Sequence, residues 1–404
     1  MRKKIISFAS VLVCASLFIG SSTKAATDQT KRLWGNDRYQ TCSQIVNEGW
    51  QSSEYAVLVN GENFPDALSA SVLAKKYNAP ILLTQKNNLD SNTQDQLKRL
   101  SVKKVLIVGG PGVISSVVQG NLESMGIEVQ RFYGADRNET SVAVAKQIGT
   151  DKGVILTTDS DYTDALSVAP IAAKLQIPII LVPKDSIPNS VGNFISGKNI
   201  IKTYVLGGED IISENIASKF PNVQRIDGDD KYIRNFNIIT SFPDDVDFKN
   251  VILASANNFP DALSGSAFAA LNGNPIILMG NKSNYYIDNL IGTKGTKNVY
   301  ILGGQASVND NVVSDTINKA NALDTIKSKV KIGSDLYLGV IDDLYSYEGS
   351  KYYTVILYSQ RNGMWLDAFY PYNFLVNIET GEAFKLETET NKITPLENME
   401  IGNN

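Results

Sequence analysis

Histidine is missing from all 404 residues. That removes the commonest general base and the commonest metal ligand, so any catalysis would rest on carboxylates, Lys, Tyr or Ser, and no metal or cofactor is expected. Cysteine occurs twice, at Cys14 and Cys42. Cys14 lies in an apolar N-terminal run, which leaves Cys42 alone in a processed chain and excludes an intrachain disulfide. Long apolar runs are equally scarce. The run from Ile5 to Gly20 follows Arg2-Lys3-Lys4 and precedes Thr23-Lys24-Ala25, the pattern of a cleaved secretory signal over residues 1–25, and is short for a membrane span. Loss of Arg2, Lys3, Lys4 and Lys24 with it would take the formal net charge from -4 to -8. Overall acidity without a basic run argues against nucleic acid.

What the chain has in quantity is itself. Asn63-Phe64-Pro65-Asp66-Ala67-Leu68-Ser69 returns as Asp161-Tyr162-Thr163-Asp164-Ala165-Leu166-Ser167 and as Asn258-Phe259-Pro260-Asp261-Ala262-Leu263-Ser264, at intervals of 98 and 97 residues. Gly35-Asn36-Asp37-Arg38 is matched by Gly134-Ala135-Asp136-Arg137 and Gly228-Asp229-Asp230-Lys231. Apolar runs ending in glycine pairs, Gly109-Gly110, Gly207-Gly208 and Gly303-Gly304, follow at the same spacing. The chain is a triplication.

Within each repeat, runs such as Tyr55-Ala56-Val57-Leu58-Val59 read as strands buried on both faces, and they alternate with helical segments. Pro65 suits a first helical position, and Asp66 then faces the positive end of the helix dipole. Asp37 with Gln40, and Asp136 with Glu139, have capping-box spacing, whereas Asp230 is followed by Ile233. Strand-helix alternation predicts an α/β class with parallel sheets. A period near 97 residues is too long for a solenoid, so three modules are expected at 26–126, 127–222 and 223–322, as a compact pseudo-trimer or as beads on a string. From residue 323 to 404 the pattern breaks. Tyr352 to Tyr358, and Phe374 to Ile378 turning through Gly381 into Ala383 to Leu386, predict a small α+β module with a hairpin, ending in a loose polar dozen.

The threefold combination of Gly-x-Asp-Arg, Asn-Phe-Pro-Asp-Ala-Leu-Ser, Pro-Ile-Leu-Leu and Ile-x-Gly-Gly, over residues 31–320, resembles the cell wall binding repeat 2 family of clostridia and their relatives. The resemblance implies Rossmann-like or Toprim-like modules that hold a secreted protein non-covalently to an anionic, teichoic-acid-like wall polymer. No sortase-type Leu-Pro-x-Thr-Gly tail competes as an anchor.

The polymer-binding candidates follow from that. Arg38, Arg137 and Lys231 would supply local positive charge, an arginine fork suiting phosphate or carboxylate best, with a domain-packing ion pair as the alternative. Gly109, Gly110, Gly207, Gly208, Gly303 and Gly304 stand at carboxyl ends of strands, where bare amides can hold oxygens, though a turn of positive φ explains them too. Asn63, Asn258, Asp66, Asp164 and Asp261 border the same loops. The aspartates read first as helix-dipole partners forming a salt bridge to the basic residue of the Gly-x-Asp-Arg loop, and second as acids of a wall hydrolase. Trp34, Tyr39 and Tyr133 offer rings for stacking on sugars or for the core. The C-terminal module is a candidate protein-binding or adhesin unit.

Overall fold

The computed structural model describes residues 29–334, 336–361, 364–367 and 372–401. The expected signal peptide, Cys14 and the last three residues lie outside these. Repeat 1 runs β1 (Gln29–Leu33), α1 (Arg38–Gly49), β2 (Tyr55–Asn60), a 3-10 turn (Pro65–Ser69) leading into α2 (Ala70–Lys76), β3 (Ile81–Thr84), α3 (Ser91–Leu100), β4 (Lys104–Val108) and α4 (Ser116–Ser124). Repeat 2 gives β5 (Glu128–Phe132), α5 (Arg137–Ile148), β6 (Val154–Thr158), α6 (Thr163–Leu175), β7 (Ile179–Val182), α7 (Asn189–Ile195), β8 (Thr203–Leu206) and α8 (Glu214–Ala217). Repeat 3 gives β9 (Val223–Ile226), α9 (Lys231–Thr240), β10 (Asn250–Ser255), α10 (Pro260–Asn272), β11 (Ile276–Met279), α11 (Tyr285–Thr293), β12 (Asn298–Leu302) and α12 (Asp310–Lys329). Among the described residues no helix is long and apolar enough to cross a membrane.

Each module is an α/β unit of four parallel strands, but its sheet is offset from the sequence repeat by one strand. The first sheet has the order β3-β2-β4-β5 and the second β7-β6-β8-β9, so each borrows its last strand from the repeat that follows. The third, β1-β12-β10-β11, closes the ring: Gln29–Leu33 pair in parallel with Asn298–Leu302. Every module is thus hydrogen-bonded into its neighbour's chain, which makes a compact pseudo-trimer of them rather than beads on a string.

The middle of the ring is helical. α2, α6 and α10 pack on one another, and each touches the first helix of the next repeat: α2 meets α5, α6 meets α9, and α10 meets α1. Their alanine- and serine-rich sequences permit close approach, and in α6 every residue from Thr163 to Ala173 is buried. Phe64, Tyr162 and Phe259, from equivalent positions, meet with ring centroids 5.2, 5.7 and 6.1 Å apart. The repeated motif therefore builds the pseudo-threefold junction. The Tyr162 hydroxyl makes one long hydrogen bond among the described residues, to the Ala256 carbonyl at 3.4 Å. Tyr162→Phe should therefore shift stability by less than about 1 kcal/mol in urea titration.

α12 is shared between the last module and the C-terminal domain. Its 20 residues start where α4 and α8 start in the other repeats, then run on into the region expected to open the tail. Beyond it, β13 (Val330–Ile332), β14 (Leu336–Val340), β15 (Tyr345–Tyr347), β16 (Ser350–Arg361), β17 (Met364–Asp367), β18 (Tyr372–Asn377), β19 (Ala383–Glu387), β20 (Ile393–Pro395) and β21 (Met399–Ile401) include an antiparallel sheet β14-β16-β18-β19-β20. The expected hairpin is β18 with β19. The described part of the polar end, up to Ile401, is not loose: β21 pairs in parallel with β13 and buries Ile401. The domain is docked on repeat 3, because Asn289 Nδ2 donates to the Leu338 carbonyl at 2.6 Å. The buried Lys319 ammonium meets Asp315 at 3.0 Å and Asp342 at 2.7 Å.

Candidate functional site

The seams between repeats gather most of the predicted residues. Each Gly-x-Asp-Arg/Lys loop ends in an aspartate that caps the next helix: Asp37 accepts from the Tyr39 and Gln40 amides, Asp136 from Glu139, and Asp230 from Tyr232 and Ile233. The reciprocal half reaches one residue further back than a capping box, with Gln40 accepting from the Asn36 amide at 3.0 Å and Glu139 from Ala135 at 2.8 Å. The loop glycine is required by space, since a Cβ on Gly134 would lie 2.0 Å from that of Glu139. The N-cap of α4 is Ser115, which makes no side-chain bond to the helix.

The basic residues then reach back along their own repeats to equivalent carbonyls. Arg38 donates to Gly61, Arg137 to Asp159 at 2.8 Å, and Lys231 to Ala256 at 3.0 Å. Arg137 remains exposed, whereas Arg38 and Lys231 are half-buried. The glycine pairs are turns first. Gly109, Gly207 and Gly303 have φ of +125°, +97° and +94°, and their amides donate into the sheet, to Phe132, Ile226 and Leu33. The carbonyls of Gly110, Gly208 and Gly304 accept the amides that turn the chain into the following loop.

The three aspartates face the next repeat, but not as a uniform salt bridge. Burial pushes the Asp66 carboxyl up, against the influence of the neighbouring Thr140 hydroxyl and the charge of Arg137. Burial lifts Asp261 to about 6 against the pull of the neighbouring Ser307 hydroxyl and the charge of Arg38. Asp164 does have an ion pair, with Arg234 instead of Lys231: the guanidinium Nε lies 2.9 and 3.1 Å from its two oxygens, both side chains largely buried. Burial raises Asp164 too, with Arg234 opposing.

At the first seam these groups line a cleft of about 330 Å³ that includes Asn63, Asp66, Gly110, Tyr133, Asp136 and Arg137. One guanidinium stands there with two carboxylates, so the cleft offers hydrogen-bond donors and a ring rather than a net positive hollow.

The pattern of cell wall binding domain 2 (CWB2) matches three times, at residues 32–119, 131–217 and 225–313. The chain belongs to the CWB2 family. It is a cell-wall-associated protein with three wall-binding repeats. The N-acetylmuramoyl-L-alanine amidase LytC of Bacillus subtilis is 32% identical over 297 residues, 73% of this chain and 60% of LytC. The amidase enhancer of the same organism is 34% identical over 253 residues, 62% of this chain and 34% of the enhancer. Cwp6 from Clostridium difficile superposes with a TM-score of 0.69 at 26% identity, covering 81% of this chain and 55% of Cwp6. Cwp8 from Clostridium difficile has the same fold, with a TM-score of 0.66 at 24% identity over 73% of this chain and 52% of Cwp8. The chain thus spans 60% or less of the length of each.

One set of CWB2 residues is not apparent from the sequence motifs. Arg32, Arg131 and Arg225, each on the strand lent to the preceding sheet, clamp the glycine loop beside it. Arg131 donates to the Gly109 carbonyl at 2.8 Å and to Ile114 at 2.9 Å. Arg225 does the same to Gly207 and Ile212, and Arg32 to Gly303 and Val308. A signal is present all the same: each stands six residues before the basic residue of the loop. Thr41 and Thr140, three residues after it, bond the Gly35 and Gly134 amides at 3.1 and 3.2 Å.

Proposed function

We propose that the chain is a secreted, non-catalytic anchor that holds a C-terminal domain at the bacterial surface, gripping an anionic secondary wall polymer at the seams between its repeats. The observation that carries this is the cleft between repeats 1 and 2, where an exposed arginine, an asparagine, a half-exposed glycine and an exposed tyrosine ring converge from two repeats. A guanidinium pairs with phosphate or carboxylate, a ring stacks on sugar, and several such contacts on one long polymer add through effective concentration. The three aspartates are occupied in packing, which favours binding over hydrolysis. Names such as that of LytC describe whole proteins of which this chain spans a part.

Asp66 and Asp136 beside Arg137 favour a second reading, in which the seams take a neutral wall glycan. Sedimentation separates the two. The full chain should pellet with purified Gram-positive walls and stay in solution with walls stripped of anionic polymer by mild acid or hydrofluoric acid. Equal pelleting with both would give the site to peptidoglycan or another neutral glycan. A clear zone in a wall zymogram, lost in Asp66→Asn or Asp261→Asn, would overturn the non-catalytic reading.

A further inference from the structure

We propose that two of the three seams hold wall polymer, while the seam between repeats 2 and 3 has become a structural lock. This rests on the reading of the seams as the wall-gripping sites. Four positions that repeat around the ring carry it.

Four residues before the basic residue stand Trp34, Tyr133 and Asp227. Trp34 and Tyr133 are 53% and 51% exposed, and each ring lies over the second glycine of a pair: a Cβ on Gly304 would be 3.7 Å from Trp34, and one on Gly110 would be 3.3 Å from Tyr133. Two bulky rings left in water at matching places suit a sugar face. At the third seam the ring is replaced by the Asp227 carboxylate, 2.7 Å from where a Cβ on Gly208 would be, and Gly208 is buried. The residues after the glycine pairs agree. They are neutral in Pro111-Gly112 and Gln305-Ala306 but acidic in Glu209-Asp210.

The motif asparagine follows the same division. Asn63 and Asn258 are neutral amides, whereas Asp161 is a carboxylate that accepts from the Thr163 amide at 2.6 Å and hydroxyl at 2.7 Å. Finally, the position of Thr41 and Thr140 is taken by Arg234, which fills the seam with its bond to Asp164, and Lys231 is held by the Ala256 carbonyl and by Asn257 at 3.2 Å. The third seam has thus exchanged ring, amide and arginine fork for four acids and a buried ion pair. It repels an anionic polymer and offers a sugar no platform.

The test is retention of the full chain on purified Gram-positive walls, with thermal melts confirming the fold. Trp34→Ala and Tyr133→Ala remove exposed rings and leave the core alone. Each should weaken retention at least about tenfold, and together they should reduce it to the level of stripped walls, because linked sites multiply. Lys231→Ala and Asp227→Ala should stay within about twofold of the parent. Losses from those two equal to the losses from Trp34→Ala and Tyr133→Ala would overturn the two-seam assignment alone. Full retention by all four variants would overturn the seam reading beneath it.

Discussion

Arg234→Ala should lower the unfolding free energy by about 3–5 kcal/mol, because it leaves a buried carboxylate without its cation. Asp164 is 2% exposed, and both of its oxygens face the Arg234 Nε. The seam it would disrupt is the one where α6 packs against α9. The loss should be specific to the unpaired charge. In the double variant Asp164→Asn with Arg234→Thr no buried charge remains, and the first seam already has this arrangement, with Thr140 standing beside Asp66 in the place of Arg234. The double variant should therefore recover most of the lost stability, a coupling that denaturant titration of the four chains of a mutant cycle measures directly. Additive losses would mean that Arg234 matters for its packed stem and not for the charge. Wall retention of the folded fraction should be unchanged by either substitution, since this seam is the lock.

The triplication, the parallel α/β class and the C-terminal hairpin are legible in the sequence because each leaves a local pattern: two-faced apolar runs such as Val105 to Val108, and a glycine turn between Phe374 and Phe384. The exchange of strands is not. β5 precedes Arg137 at the same spacing whether it pairs with β4 or within its own repeat, so the phase at which a repeat is cut is arbitrary in sequence and fixed only by hydrogen bonding. The same ambiguity hides the clamp of Arg32, Arg131 and Arg225, whose partners lie across that boundary. A boundary at residue 323 divides α12, because the repeat ends there while nothing at Leu323 interrupts the helix, and β21 is invisible because three residues carry no detectable alternation. The aspartates are half legible. Their place in the first turn follows from Pro65 and Pro260, but which cation each meets depends on Arg234, a departure of one repeat from the other two.

Stability should fall as the pH rises from about 4 to about 6, by up to about 3 kcal/mol through Asp261 alone. Burial raises its carboxyl from an ordinary 3.8 to about 6, so the folded chain holds this proton more tightly than the unfolded one. The stabilisation is complete below 3.8 and is lost as the pH passes 6; the gap between those values, at about 1.4 kcal/mol for each tenfold change in proton affinity, sets the size. Asp66 and Asp164 are raised in the same direction and add to the slope. Urea midpoints at pH 4, 6 and 8 should therefore decline for the parent and decline less for Asp261→Asn, which should be the more stable chain at pH 8. A parent and variant that run parallel across that range would show Asp261 solvated and ordinary. The cost of the carboxylate at neutral pH has a structural counterpart in Gly303, where a Cβ would come within 2.3 Å of the Asp261 oxygen. The loop has thus kept the one residue that leaves room for an acid which weakens the fold. Asp261→Asn should therefore gain stability at pH 8 without losing wall retention, because the carboxylate is buried in the packing of the seam and adds negative charge beside Arg38.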